Sequence, residues 1–401
     1  MKNNKVLIFA ALFTIGVASH AGSYEAERQG LHGFDKVLQP LIEDRRLPGY
    51  FLSIRQDGEK KLERAQGFVD EKNKVTPTSK TIFEIGSMTE PLTATAIMLL
   101  VEEGRISLED RLTDFLPEFR DLKVAVKGSY DLPLVELSQP ITLNHLLNHS
   151  AGFSVVKRFS LRLSDVEKSY REKGIFRNNS EPKDLKGNIA LLAKIPLIFQ
   201  PGEAKNTDSV SYDVLARVIE VVSKRSFDSF LTANVFVPLA MQDTHFNVPV
   251  DKHSRIAAMH EPVVWGYNVP GKPKMYRQRI TSKNAKTQAN VARGRTGIKS
   301  TANDYLKFLD FLLGEENLPK LSMSATNRLN LISKIKGLET GNNNSQKQAA
   351  HLTGQGGFNT AFWLDTQTKA SGVFMTQINP AQFELAPTLL NITAETFKND
   401  S

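Results

Sequence analysis

The sequence predicts a mixed α+β fold (α/β in the broad sense): an antiparallel sheet flanked by helices, joined to an all-helical subdomain. Three observations predict it. Gly49 to Gln56 and Lys61 to Val69 read as two strands about Asp57-Gly58, the short-loop signature of a hairpin. A helical period then takes over, from Leu92 through Ala96, Leu99 and Leu100 to a stop at Gly104, and it recurs through the middle of the chain. Near the other end, His351 to Asp365 and Gly372 to Gln377 return to β-like composition on either side of a turn. Strands at both ends with helices between them put the helices on the faces of one antiparallel sheet.

Taken in order, Lys2 and Lys5 precede an almost wholly apolar run from Val6 to Val17, and Ser19 and Ala21 have the spacing of a small-residue cleavage site. Residues 1–21 therefore read as a secretory signal peptide, with a periplasmic or secreted destination for the mature chain from Gly22. The run is short for a transmembrane helix and no cysteine follows it, so neither a retained span nor a lipid anchor is expected. Cysteine is absent throughout, which removes disulfides, thiol catalysis and zinc–thiolate sites together. The formal charge of +8 falls to about +6 without the two signal lysines. That excess suits association with anionic envelope polymers, while basic residues spread evenly and without interleaved aromatics argue against a nucleic-acid partner.

Leu31 to Leu47 has the pattern of an amphipathic helix, with Phe34, Val37, Leu38, Leu41 and Ile42 on one side and Pro48 ending it. The hairpin follows, then the short apolar run Ile82 to Ile85 that leads into the Leu92–Gly104 helix. Arg105 to Phe119 is a charged connector with apolar anchors. Thr142 is placed to cap a short helix carrying Leu143, Leu146 and Leu147, and His149 sits in the turn beyond it. Val155 to Pro196 reads as a charged helical insertion, and Tyr212, Val214, Leu215, Val218, Ile219 and Val222 as the apolar face of a core helix. Asn247 to Val291 is irregular and reads as a long loop over the site. Ser300 to Asp304 resembles a capping box for a helix to Leu313, which Gly314 ends. Gly337 to Gln348 is polar with few apolar residues, and Pro387 to Phe397 reads as a terminal helix. The mature chain, 22–401, thus divides into an α/β part of about 22–85 and 290–401 and a helical part of about 86–290. With no Walker loop, HExxH or metal-ligand spacing, no cofactor or metal is expected.

The residue with most chemical promise is Ser87, at the start of the Leu92–Gly104 helix. Its hydroxyl and N–H would point out of a helix N-terminus, where partial positive charge favours a developing oxyanion. Serine there is also a plain N-cap residue, and His149 reads more readily as a backbone-bonded loop histidine than as a catalytic one.

The run IGSMTEPLTATAIMLLVEEGRISLEDRLTDFLPEF resembles the serine β-lactamase-like superfamily: class C β-lactamases, DD-peptidases and above all the β-lactamase-fold esterases. Further family-like phrases follow in family order, as ITLNHLLNHSAGF, PGEAKN…DSVSYDVLARVIEVVS, FLTANVFVPLAMQDTHF, STANDYLKFLDFLL and GQGGFNTAFWLD…GVFMTQ. The resemblance implies a β-lactamase/transpeptidase-like fold and acyl transfer through an ester of Ser87. It also implies a lysine one helical turn after the serine, a tyrosine from a later loop, and an oxyanion-binding strand motif.

At each point except the serine this sequence departs from that pattern. The lysine position is Glu90. The tyrosine position is Asp208 by the YSxxxDVLG-type phrase, or Thr207 by counting from Pro201-Gly202. The usual GWGG is Gly354-Gln355-Gly356-Gly357, which makes Gln355, Gly356 and Gly357 the expected substrate- and oxyanion-binding residues. A carboxylate at position 90 reverses the charge beside the nucleophile, and in the first turn of a helix it is a poor base for a hydroxyl. Were Glu90 and Asp208 side by side, the two could share a proton and serve Ser87 as a base; a cationic ligand or metal on such a pair is a lesser alternative. Two functions follow as expectations. One is an exported serine hydrolase with altered or impaired catalysis, taking a small ester, amide or cell-wall-type ligand. The other is a non-catalytic pseudoenzyme that binds a small molecule, cell-wall fragment or protein partner in the old cleft.

Overall fold

The computed structural model describes residues 32–126, 129–131, 133–155, 163–175, 184–207, 210–262, 276–278, 291–314, 321–336 and 351–397. The signal segment 1–21, Asp208 and the polar stretch Gly337–Gln348 lie outside these residues.

Helix α1 spans residues 32–43, and the N–H groups of Arg46 and Leu47 close its end on the Leu41 carbonyl. Strands β1 (Gly49–Gln56) and β2 (Glu59–Gly67) form the expected hairpin. Its turn residues Asp57 and Gly58 have φ of 52° and 74°, the left-handed pair that a two-residue hairpin loop requires. Then come β3 (Phe83–Glu84), α2 (Thr89–Glu102), α3 (Leu112–Phe115), α4 (Leu143–Leu147), α5 (Asp165–Glu172), α6 (Leu185–Leu192), α7 (Ser211–Ser223) and α8 (Phe227–Leu231). The remaining elements are β4 (His260–Pro262), β5 (Tyr276–Gln278), β6 (Lys299–Ser300), α9 (Ala302–Leu313), α10 (Ala325–Lys336), β7 (His351–Gln355), β8 (Ala361–Asp365), β9 (Ala370–Met375) and α11 (Ala386–Thr396).

The main sheet has the order β2-β1-β9-β8-β7, antiparallel at every pairing, while β3 pairs with β6 and β4 with β5. Side-chain alternation along β1 explains the two cores. Tyr50, Leu52 and Ile54 face one way, with Trp363 and Phe374, and are covered by Phe34 and Leu38 of α1 and Leu389 of α11. Phe51 faces the other way, with Phe362, Val373 and Met375, toward α2, α7 and α9. Helix α2 is buried from Thr89 through Leu100, the pattern of a helix enclosed on all sides.

Local signals place several elements as the sequence predicts. The Thr142 hydroxyl accepts from His145 N–H to start α4; the Thr301 hydroxyl accepts from Asp304 N–H to start α9, and Gly314 ends that helix in a left-handed conformation. Three readings change. His351–Asp365 is two strands, β7 and β8, broken at Gly356–Thr360. The Asn247–Val291 segment contains the β4–β5 ladder, which buries His260. Helix α10 has no counterpart in the sequence reading, because ATNRLNLISKIK is polar on most of its surface and buries only Leu331, Ile332 and Ile335.

Candidate active site at the start of helix α2

Ser87 lies in a single 3-10 turn, Gly86–Met88, between β3 and α2. Gly86 has φ of 55°, and a Cβ there would lie 2.8 Å from the Gly357 nitrogen, so a side chain would both strain the backbone and collide with the neighbouring turn. Hydrogen bonds fix the turn from three directions. Ile85 N–H donates to the Ile298 carbonyl (3.1 Å), the Thr360 hydroxyl donates to the Ile85 carbonyl (3.2 Å), and the Tyr305 hydroxyl donates to the Met88 carbonyl (2.9 Å). The N-cap positions are Ile85 for the 3-10 turn and Met88 for α2, and neither makes a side-chain cap bond. Ser87 is therefore no N-cap; its half-buried hydroxyl is left for other work.

The turn after β7 forms the facing wall. Gly356 N–H donates to the Thr360 carbonyl at 2.7 Å, so this donor is already used, and a Cβ on Gly356 would lie 2.2 Å from both the Ile85 carbonyl oxygen and the Thr360 hydroxyl. Gly357 is exposed, and among the described residues its N–H, which abuts Gly86, has no hydrogen-bond partner. The Gln355 amide donates to the Phe383 carbonyl, tying β7 to the loop before α11. Of the three residues expected to bind an acyl group, Gly356 has its backbone donor used and Gly357 keeps its own open.

Glu90 is 4% exposed, one helical turn after Ser87. Its Oε2 lies 3.5 Å from His149 Nε2 and its Oε1 lies 3.3 Å from Arg295 Nε. His149 is buried in a left-handed turn (φ 53°), and its ring lies 5.2 Å from that of Tyr212. A histidine at positive φ is held there by its surroundings: Asn206 N–H donates to the His149 carbonyl (2.9 Å), and the Tyr212 hydroxyl donates to the Leu147 carbonyl (3.1 Å). Arg295 comes from the segment before β6. Its N–H donates to Asp213 Oδ1 (3.3 Å), the fully buried Asp213 also accepts from the guanidinium of Arg293, and the Thr93 hydroxyl donates to the Gly294 carbonyl (2.6 Å). Helices α2 and α7 thus clamp residues 293–295 and hold a cation against Glu90. The Arg295 contact is an ion pair by distance, without a hydrogen bond from Nε, and the cluster balances the charge that replaces the expected lysine.

A family model described as Beta-lactamase matches residues 34–395. The chain belongs to the β-lactamase family. Protein Rv1367c of Mycobacterium tuberculosis is 31% identical over 242 residues, which are 59% of this chain and 54% of that protein. Esterase EstB of Burkholderia gladioli is 31% identical over 214 residues, 53% of this chain and 50% of that one. The chain spans about half the length of these curated relatives. Among solved structures, EstCE1, described as a hydrolase with promiscuous acyltransferase activity, superposes with a TM-score of 0.74 at 19% identity, over 92% of this chain and 99% of that one. The β-lactamase/transpeptidase-like fold and the serine-hydrolase family expected from the motifs therefore hold.

Within this β-lactamase-family fold, Ser87, Glu90, Gly356 and Gly357 converge where α2 meets the β7–β8 turn. Thr207 is exposed, and Asp208 lies outside the described residues. Arg295, the cation beside Glu90, was not singled out by the sequence reading. The signal that could have found it is the charge reversal itself: a buried glutamate in place of a lysine calls for a cation, and ARGRTG before β6 carries two arginines around a glycine.

Proposed function

We infer that this chain is an exported serine hydrolase of the β-lactamase family that forms an acyl ester on Ser87 from a small ester, amide or cell-wall-type ligand, with slow turnover. The observation that carries this reading is the seat of Ser87: a hydroxyl not used as a cap, in a turn pinned by β6, α9 and Thr360, beside the open N–H of Gly357. Ser87 Oγ attacks the ligand carbonyl, and the N–H groups of Ser87 and Gly357 receive the oxyanion. Collapse breaks the bond to the leaving oxygen or nitrogen, which takes a proton from solvent and departs as alcohol or amine; water then adds to the acyl-serine, releasing the carboxylic acid and restoring the Ser87 hydroxyl. Slow turnover follows from Glu90, which is bound by Arg295 and His149 and so does not take the serine proton; that proton passes to solvent. Loss of a dedicated proton acceptor commonly lowers turnover by on the order of 10⁴ or more. The names of EstB and EstCE1 support esters as the first substrates to try.

The engaged state of Glu90 also favours a second reading, a pseudoenzyme that binds without reacting. Intact-mass analysis after exposure to a fluorophosphonate, a fluorescent penicillin and a chromogenic short-chain ester separates the two. One adduct per chain, lost in Ser87→Ala, is expected. No adduct and no ester turnover from mildly acidic to mildly alkaline pH would reject the hydrolase reading. Export is tested by N-terminal sequencing of the protein from the envelope or medium, with the mature chain expected to begin at Gly22.

A further inference from the structure

The wall that faces the Ser87 turn is held in place from behind. The two turns meet closely: a Cβ on Gly86 would lie 2.8 Å from the Gly357 nitrogen and 3.3 Å from the Phe358 ring. A Cβ on Gly357 itself would meet nothing within 4 Å, so packing around this residue does not fix where its N–H lies. Its position comes instead through the groups that follow it. The Gly357 carbonyl accepts from Ala381 N–H (3.0 Å) and the Phe358 carbonyl from Ile378 N–H (3.2 Å), which hangs the turn on the loop after β9.

Asn359 adds a tie made by a side chain. Its Oδ1 accepts from the N–H groups of Gln382 (2.8 Å) and Phe383 (3.2 Å). Two N–H donors on one side identify that end of the carboxamide as the oxygen. The residue is 2% exposed and has φ of 61°, a left-handed conformation that asparagine adopts more readily than most residues. Its Nδ2 is buried as well, and among the described residues it has no hydrogen-bond partner. A buried donor left unpaired costs stability, so asparagine is not the choice that stability alone favours at this position. Gly357 is thus suspended between two anchors. In front, the Thr360 hydroxyl reaches the Ile85 carbonyl; behind, Asn359 grips the backbone of residues 382–383. We propose that Asn359 is a positioning residue for the chemistry at Ser87: its carboxamide oxygen holds the 357–359 turn against the loop after β9 and so aims the Gly357 N–H at the oxyanion. The inference rests on the Ser87 cleft being the reacting site. Asn359 itself is buried and acts through Gly357.

The test reads the Gly357 amide and the Ser87 reaction separately. Protein grown with isotopically labelled glycine gives an NMR signal for the Gly357 amide, assigned by its loss in Gly357→Ala, a change for which there is room. In the parent its order parameter should be that of a rigid backbone, about 0.85, and in Asn359→Gly it should drop below about 0.6. Glycine tolerates the same φ, so that variant removes the carboxamide without forcing the backbone. Asn359→Asp keeps both the acceptor and the φ and should keep the Gly357 order, which separates loss of the oxygen from the added freedom of a glycine. Gly104 and Gly314, just beyond α2 and α9, should be unchanged in both variants and so report that the fold persists. The reaction is followed as time courses of fluorophosphonate labelling at several concentrations. Loss of one oxyanion donor lowers rates by about 10²–10³, so a loosened one should lower the maximal rate in Asn359→Gly by about tenfold or more, with the concentration for half-maximal rate unchanged. A general loosening of the cleft would raise that concentration too. Unchanged Gly357 order in Asn359→Gly, an Asn359→Asp protein as loose as Asn359→Gly, or an unchanged maximal rate overturns the proposal. Should the parent not label at Ser87 at all, the hydrolase reading fails alone if the order parameters change as expected; if they do not, both fall.

Discussion

Replacing Glu90 by lysine would install the residue type that the family resemblance leads one to expect there, and the surrounding charges say it should weaken the protein. Glu90 is 4% exposed, and Arg295 Nε and His149 Nε2 stand 3.3 Å and 3.5 Å from its two oxygens. At such a separation and an effective dielectric of about 20, two unit charges interact by about 5 kcal/mol. Glu90→Lys loses this attraction and substitutes repulsion. Rotation of the half-exposed Arg295 toward water relieves part of it, which leaves a net cost of about 3–5 kcal/mol, the range for a buried pair broken on one side. At roughly 2–4 °C per kcal/mol, the melting temperature should fall by about 6 °C or more. Combining Glu90→Lys with Arg295→Ala removes the repulsion, so the double variant should melt above Glu90→Lys by about 5 °C, and any gain in esterase turnover should appear there rather than in the single variant. Thermal unfolding of the parent, both single variants and the double variant closes the cycle. A Glu90→Lys protein that melts within about 1 °C of the parent, or a double variant that melts below it, would refute the charge-balance argument.

Three other outcomes are expected. Asp213→Asn should cost about 3 kcal/mol in denaturant unfolding, because it removes the charge that the mostly buried guanidinium of Arg293 faces and loosens the segment that carries Arg295; an unchanged midpoint would contradict the clamp. Gly356→Ala cannot place its methyl without moving Ile85 or Thr360, so labelling of Ser87 by a fluorophosphonate should slow by about tenfold or more while the far-ultraviolet circular dichroism stays native-like. His260 is fully buried against Tyr276 (ring centroids 5.5 Å apart), and burial pushes its pKa below the ordinary 6.5. The unfolded chain therefore takes up a proton that the folded one refuses, and stability is lost as pH falls through 6.5 toward the folded value; His260→Gln should show a shallower fall in melting temperature over that window.

The parts of this fold that are legible in the sequence are those whose cause is local. Thr142, Thr301 and Gly314 bound helices through their own backbone and side-chain chemistry, and Asp57-Gly58 sets the hairpin by its φ angles. Helix α10 escapes such reading because its burial is decided by contact with α2 and β7 rather than by its own pattern. The β7–β8 division escapes it too, since Phe358, Ala361 and Phe362 keep the run apolar across a turn fixed by a glycine wedged under Ile85. At the site, Ser87 and the charge reversal at Glu90 are visible in the sequence. Arg295 is not, because it reaches Glu90 from about 200 residues away through a clamp, and no local preference specifies a contact of such separation.

The pairing of β1 with β9, with Phe51 opposite Met375, has a consequence for how the molecule is made. Strand β1 must wait for a partner about 320 residues downstream, so during synthesis the hairpin carries an open edge with buried-type side chains such as Tyr50, Leu52 and Ile54. The turn that bears Ser87 is in the same position: its wall, Gly356 to Thr360, is translated after every helix except α11. The surroundings of Ser87 should therefore be completed only in the last cooperative step, so that under the proposed function acylation of Ser87 would report completed folding, and chains that stall before β8 are the species most prone to pair edge to edge.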